Sequence, residues 1–125
     1  MVDFGQEVGR ALREAKLSAV RLVCEKYLKD QRAYTVLDAP VANQVLNLFT
    51  AATLAVGSSD AGLSDVDDLL FPATEGQGLF GASRGESVRS SVFVNKTVLG
   101  FLRYSHETRD KVLLALDQIL APTRY

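Results

Sequence analysis

The sequence predicts an all-α protein, a bundle of four to five helices with a long acidic, glycine-rich connector. Apolar residues recur at steps of three and four before residue 30, between residues 39 and 56, and again after residue 87. Between the last two of these stretches, over residues 58–87, that periodicity stops and glycine occurs five times. A length of 125 residues is close to the usual size of one domain, so we expect a single helical domain over 1–125.

The first helix is predicted to begin after Asp3 and to continue to about Leu28. Asp3 and Gln6 have the spacing of a capping box, in which two side chains bond the free backbone N–H groups of a helix start. An apolar stripe at helical spacing starts at Phe4, and a second apolar set joins it from Leu17. We therefore expect one long helix whose second half is the more deeply packed.

The charges on this first helix are predicted to pair locally. Residues four apart lie on the same face of a helix, and opposite charges at that spacing attract. The pairs with this spacing are Arg10 with Glu14, Arg21 with Glu25, and Glu25 with Lys29. We therefore expect the charged side of this helix to face solvent, with its charges paired within the helix.

A second helix is predicted over 39–56, with Asp38 as its N-cap and Pro40 in its first turn, where proline is tolerated. This helix carries no charge after Asp38. An uncharged helix is either the central helix of the bundle or a helix at an interface with another chain, and both alternatives stay open. In either case Asn43 and Asn47, one turn apart, need hydrogen-bond partners across the contact.

The uncharged run extends to residue 59 and is about long enough to cross a bilayer. Its Asn, Gln and Thr side chains are costly in hydrocarbon, so we expect a buried helix and no membrane contact. The N-terminus shows no secretory signal pattern, and Cys24 is the single cysteine. A reducing compartment, the cytoplasm, is therefore expected.

Residues 58–87 are predicted to form a connector that is much longer than usual inside a compact domain. Such a segment is either functional or mobile. Within it, Ser64 and Asp67 have the spacing to cap a short turn of helix that continues through Leu69 and Leu70.

Two further helices are predicted at about 86–104 and 106–121, with Ser105 capping the second and Pro122 ending it. The start of the first of these is rich in β-branched valines, which makes a strand an alternative there.

The charge distribution is regional. No Lys or Arg occurs from residue 33 to residue 83, and that stretch has a net charge of −6, against +2 for residues 1–32 and +3 for residues 84–125. Segregated charge is typical of a chain that meets a partner, a copy of itself or a polyanion.

Two short patterns resemble catalytic or cofactor motifs, and neither has the context that its chemistry requires. Residues 76–81 read G-x-G-x-x-G, but no strand precedes them. Residues 106–110 read H-E-x-x-D, but a zinc site needs three protein ligands and His106 is the only histidine. We therefore expect no enzyme, no cofactor and no metal.

The sequence favours a non-enzymatic assembly or adaptor subunit that contacts itself or a larger protein complex. The residues expected at that protein interface are Asn43, Asn47, Leu48, Asp65, Asp67 and Asp68.

The alternative is a small accessory subunit of a nucleoprotein complex that binds the phosphate backbone without reading bases. Arg89, Lys96 and Arg103 are seven apart, so on a helix they form one line with about 10 Å between neighbours. The cations expected to contact phosphate are Arg84, Arg89, Lys96, Arg103 and Arg109.

Overall fold

The computed structural model describes residues 4–14, 17–56, 62–71 and 88–124, and for residues 88–91 it describes the backbone alone. All regular structure in these residues is helical, which confirms the all-α prediction. The helices are α1 Phe4–Glu14, α2 Leu17–Lys29, α3 Arg32–Thr35, α4 Ala39–Val56, α5 Leu63–Leu70, α6 Val88–Leu102 and α7 His106–Leu120, followed by a final 3₁₀ turn, Ala121–Arg124.

The prediction of one long first helix is wrong. Helices α1 and α2 are separate and pack against each other. The ring of Phe4 near the start of α1 lies 5.2 Å from the ring of Tyr27 near the end of α2, centroid to centroid. The second apolar set that begins at Leu17 therefore belongs to a separate helix, whose buried face is formed by Val20, Cys24 and Leu28. The predicted cap at Asp3 lies outside the described residues.

The prediction of a helix over 39–56 is confirmed by α4, which has Pro40 in its first turn. The carbonyl oxygen of Asp38 accepts the first hydrogen bond, from the Ala42 amide at 2.8 Å. Ten of its residues, Val45, Leu46 and Leu48 to Ala55, are buried. Helices α2, α5, α6 and α7 all pack against α4, so it is the central helix of the described residues.

Helix α4 is also long and apolar enough to span a membrane by composition alone, with a mean hydropathy of 1.2 over 18 residues. Just over half of it, 56%, is buried by the rest of the fold. The central helix of a folded core has the same composition, because it too is surrounded by apolar side chains.

The core that surrounds α4 is a continuous cluster with members from every long helix. Phe49 is fully buried, and its ring lies 5.7 Å from the ring of Phe4 and 5.8 Å from that of Tyr27. On the other side of α4, Val94 and Phe101 of α6 join the same cluster. Aromatic contacts of this kind add to the hydrophobic energy of burial.

The two helices predicted near the end of the chain are confirmed as α6 and α7, and the alternative of a strand at the start of α6 is wrong. Val88 and Val92 are helical, because the opposite side of α6, with Val94 and Phe101, packs on α4 and tertiary contact overrides local propensity. Ser105 caps α7 as predicted, since its hydroxyl accepts from the Thr108 amide at 3.2 Å.

Candidate protein-interaction surface

Helix α6 has one face in the core and one apolar face toward solvent. Val94 and Phe101 are buried, whereas Val92 is 71% exposed and Leu99 is 60% exposed. Val92 and Leu99 are two helical turns apart and lie on the same side of α6, with Leu102 beside them. A single exposed apolar side chain is ordinary on a protein surface, whereas here three of them lie on one side of the same helix.

Two cations follow the same side of α6. Lys96 lies one turn after Val92 in α6, and Arg103 is the first residue after α6, which ends at Leu102 and so before the predicted end at residue 104. Both are exposed, and neither forms an ion pair or a side-chain hydrogen bond within the described residues. The term "α6 outer face" is used below for Val92, Lys96, Leu99, Leu102 and Arg103.

The predicted line of basic residues is present only in part. The backbone of Arg89 has the helical position that continues the line through Lys96 and Arg103, while its side chain and all of Arg84 lie outside the described residues. Arg109 is on α7 and is half-buried, and its Nε is a buried atom with no partner among the described residues. The structure therefore brings Lys96 and Arg103 together and places Arg109 on a different helix.

The three predicted interface aspartates separate into two kinds on α5. Asp65 and Asp68 are exposed, and Asp67 is buried. The carboxylate of Asp65 accepts from the Gly62 amide at 3.0 Å and so closes the start of α5. The predicted short helix is present as Leu63–Leu70, but its predicted caps are wrong: Ser64 lies inside the helix and Asp67 faces inward.

Asp67 is paired with Arg124, the last residue of the 3₁₀ turn that follows α7. Arg124 donates from Nε and from one terminal nitrogen to the two Asp67 oxygens, at 3.0 and 2.8 Å. Its other terminal nitrogen lies 2.8 Å from a carboxylate oxygen of Asp117 on α7, and its guanidinium lies 5.5 Å from the centre of the Phe71 ring. Hydrogen bonds to Asp67 and Asp117 raise the pKa of Arg124 above its ordinary value. This forked contact, called the Arg124 clamp below, ties α5 to α7.

Asn43 and Asn47 have the cross-helix partner that the sequence required. Arg21 on α2 donates to the side-chain oxygen of Asn47 and, at 3.4 Å, to that of Asn43. The predicted local pair of Arg21 with Glu25 missed this contact, although Glu25 does approach Lys29 at 3.8 Å. Asn43 stays exposed, whereas Asn47 is half-buried.

Leu48, the last of the predicted interface residues, is 1% exposed and packs in the core. Its side chain belongs to the buried core cluster and is not accessible to another chain in this structure. Of the predicted protein-interface residues, the exposed ones are Asn43, Asp65 and Asp68.

Cys24 is fully buried, with its sulfur 3.7 Å from the Thr53 hydroxyl oxygen. Burial is the main cause that raises the pKa of the Cys24 thiol to about 11. The neutral thiol is therefore the form present near neutral pH, and it behaves as a core side chain. Within the residues that the structure describes, no three His, Cys, Asp or Glu side chains are grouped as a metal site would require.

Comparison of the chain with protein-family models, with curated proteins and with solved structures found no match.

Proposed function

We propose that this protein is a non-enzymatic helical assembly or adaptor subunit of the cytoplasm that acts through protein–protein contacts and self-association. The proposal includes the expected architecture, a single-domain bundle of four to five helices with a long acidic, glycine-rich connector over 58–87. The observation that carries it is the α6 outer face, where Val92 and Leu99 are 71% and 60% exposed beside Lys96 and Arg103.

Exposed apolar area in a folded chain costs free energy that a partner can recover. Removing such area from water is worth about 25 cal/mol per Å², and interfaces combine an apolar centre with polar groups at the rim. The α6 outer face contains both kinds of group, because Val92 and Leu99 alternate with Lys96 and Arg103 along it.

The proposal places the contact on α6 and not on α4, where the sequence suggested it. The sequence suggested the uncharged helix 39–56 as a docking element, but ten of its residues are already covered by the other helices. Near the start of α4, Asn43 remains exposed and belongs to the same proposal as a peripheral contact.

The test is the mass of the protein in solution, measured by light scattering over a range of concentrations. Val92→Gln with Leu99→Gln replaces two exposed apolar side chains by a good helix former, so the fold is retained. We expect the wild-type chain to exceed 13.6 kDa with rising concentration and the double variant to remain near that value. The matched control is Leu22→Gln with Leu114→Gln, which changes two leucines of similar exposure, 52% and 58%, on other helices. A double variant that associates like the wild type would contradict the proposal.

The second candidate is the nucleic-acid subunit, which the unpaired state of Lys96 and Arg103 favours. Two exposed cations on one side of a helix suit a phosphate backbone, which is bound without base recognition. The exposed side chains of Val92 and Leu99, which alternate with these cations, are less suited to phosphate, and this makes the protein-contact proposal the stronger one.

Salt dependence separates this candidate from the first. Each phosphate contact contributes about 0.9 to the slope of log affinity against log salt on duplex DNA, so Lys96→Gln with Arg103→Gln should reduce the slope by nearly two. Arg13→Gln with Lys26→Gln, on exposed positions of α1 and α2, removes the same charge as a control. Absence of binding to duplex DNA and to RNA at low salt would exclude the nucleic-acid candidate.

A further inference from the structure

The outward side of α5 carries the charges that the α6 outer face lacks. Ser64, Asp65 and Asp68 are exposed on α5, and Leu69 lies half-buried next to them. Asp68 forms no ion pair or side-chain hydrogen bond within the described residues, and Asp65 uses one carboxylate oxygen to cap α5. The α5 outer face, defined here as Ser64, Asp65, Asp68 and Leu69, therefore presents two carboxylates and an apolar edge.

The Arg124 clamp explains why this face points outward. Asp67 is 10% exposed in its side chain and is held by Arg124 on the inner side of α5. On a helix, the residue two positions before Asp67 lies on nearly the opposite side, and the residue directly after it lies about 100° around the axis, and both Asp65 and Asp68 are exposed. Pairing of Asp67 inside the fold thus fixes Asp65 and Asp68 toward solvent.

The two outer faces complement each other, and neither complements itself. Pairing α6 with α6 of another copy would bring Lys96 and Arg103 of both chains to one contact, and like charges at an interface cost affinity. Pairing α5 with α6 instead places carboxylates against the ammonium and guanidinium groups, with Leu69 beside Val92 and Leu99. Within one chain, the described residues show no ion pair between α5 and α6.

We propose that the α6 outer face of one copy binds the α5 outer face of a second copy. This inference rests on the proposed function and names the partner of the same surface. Because two different surfaces meet, the contact is head-to-tail, and a pair of copies keeps one free α5 outer face, on the first copy, and one free α6 outer face, on the second. Self-association then continues beyond a dimer unless the rotation between copies closes a ring.

Charge reversal on each face tests this inference. One variant carries Lys96→Glu and Arg103→Glu, which makes the α6 outer face acidic. The other carries Ser64→Lys and Asp68→Lys, which makes the α5 outer face basic and leaves the Asp65 cap in place. Arg13→Glu with Lys26→Glu is the control for net charge, on exposed positions of α1 and α2. Circular dichroism shows whether each variant keeps its helical content.

The association constant of each reversed variant alone should be lower than that of the wild type by at least about tenfold, because like charges then face each other across the contact. Mixing the two variants should restore association, since every α5 face in the mixture then finds an α6 face of opposite charge. The control should behave like the wild type. High salt should weaken wild-type association, because these pairs lie at a solvated rim.

The outcomes separate this inference from the proposed function. If the variant with Lys96→Glu and Arg103→Glu loses association but the variant with Ser64→Lys and Asp68→Lys does not, the α6 surface stands and its proposed partner is overturned. If mixing restores nothing, the α5-to-α6 pairing is overturned as well. A wild-type chain that stays at 13.6 kDa at all concentrations overturns this inference and the self-association in the proposed function together.

Discussion

At the scale of single residues, the buried side chains of Thr50, Thr53 and Cys24 are uncharged, and the buried Asp67 carboxylate is paired with Arg124. Thr50 and Thr53, both fully buried, donate to the carbonyl oxygens of Leu46 and Phe49 at 2.7 and 2.9 Å. Cys24 lies against Thr53 and keeps its proton because burial raises the pKa of its thiol. A buried group that carries no charge costs little as long as the pH leaves it neutral.

Stability should fall at alkaline pH through Cys24. The pKa of its thiol rises from an ordinary 9.0 to about 11 on folding. Between these pH values the thiol ionises in the unfolded chain but not in the folded one, so the free energy of unfolding decreases as the pH rises. A shift of this size corresponds to about 2 kcal/mol of unfolding free energy lost by pH 11. Burial also raises the pKa of Tyr27, which adds to the loss.

Urea denaturation of the wild type and of Cys24→Ala across this pH range measures the effect. The variant should be less stable near neutral pH, because it leaves a small void, but its stability should decline less above pH 9. Equal alkaline slopes for the two proteins would show that Cys24 does not ionise on unfolding.

At the scale of helices, periodicity was sufficient where an apolar stripe faces a single core. The bounds of α4, α6 and α7 follow from their stripes and from caps such as Ser105. Residue patterns could not separate α1 from α2, because two amphipathic helices in direct succession read as one. They also could not show contacts between distant residues, such as Arg124 with Asp67, which are 57 positions apart.

The Arg124 clamp should determine the stability of α5. Arg124→Ala leaves the Asp67 carboxylate buried without its partner, and we expect a loss of about 2 to 3 kcal/mol, below the range for fully buried pairs because Arg124 is partly exposed. Arg124→Lys keeps the charge but loses the forked geometry, so its loss should be smaller.

Hydrogen exchange distinguishes a local effect from a global one. In Arg124→Ala, amides of α5 should exchange faster than those of α4. Asp67→Asn in the Arg124→Ala background should recover part of the loss, because a neutral amide replaces the buried charge. Unchanged protection of α5 in Arg124→Ala would show that the clamp contributes nothing to its stability.

At the scale of the whole molecule, one core cluster includes side chains from every long helix in the described part of the chain. On the surface, the exposed cations Lys96 and Arg103 lie on α6 and directly after it, and the exposed acids Asp65 and Asp68 lie on α5. The regional charge was visible in the sequence. The burial of Asp67 and the exposure of Asp65 and Asp68 were not, because they depend on which side of α5 meets the core.

The shared core should make unfolding cooperative. Phe49→Ala removes a ring that contacts both Phe4 and Tyr27, and it should cost about 3 to 5 kcal/mol. Circular dichroism and tyrosine fluorescence should then report the same urea transition, displaced to lower urea. Leu22→Ala, at a 52% exposed position, is the control and should change stability by about 0.5 kcal/mol or less. Two separate transitions would contradict the expected single domain.

The Arg124 clamp also has a consequence for biosynthesis. Translation produces Asp67 first and Arg124 only 57 residues later. Until Arg124 is made, the Asp67 carboxylate on the inner side of α5 has no counterion. Packing of α5 against α4 then costs the free energy of burying an unpaired charge. The Arg124 clamp can therefore hold α5 only after α7 and the turn that follows it have been synthesised.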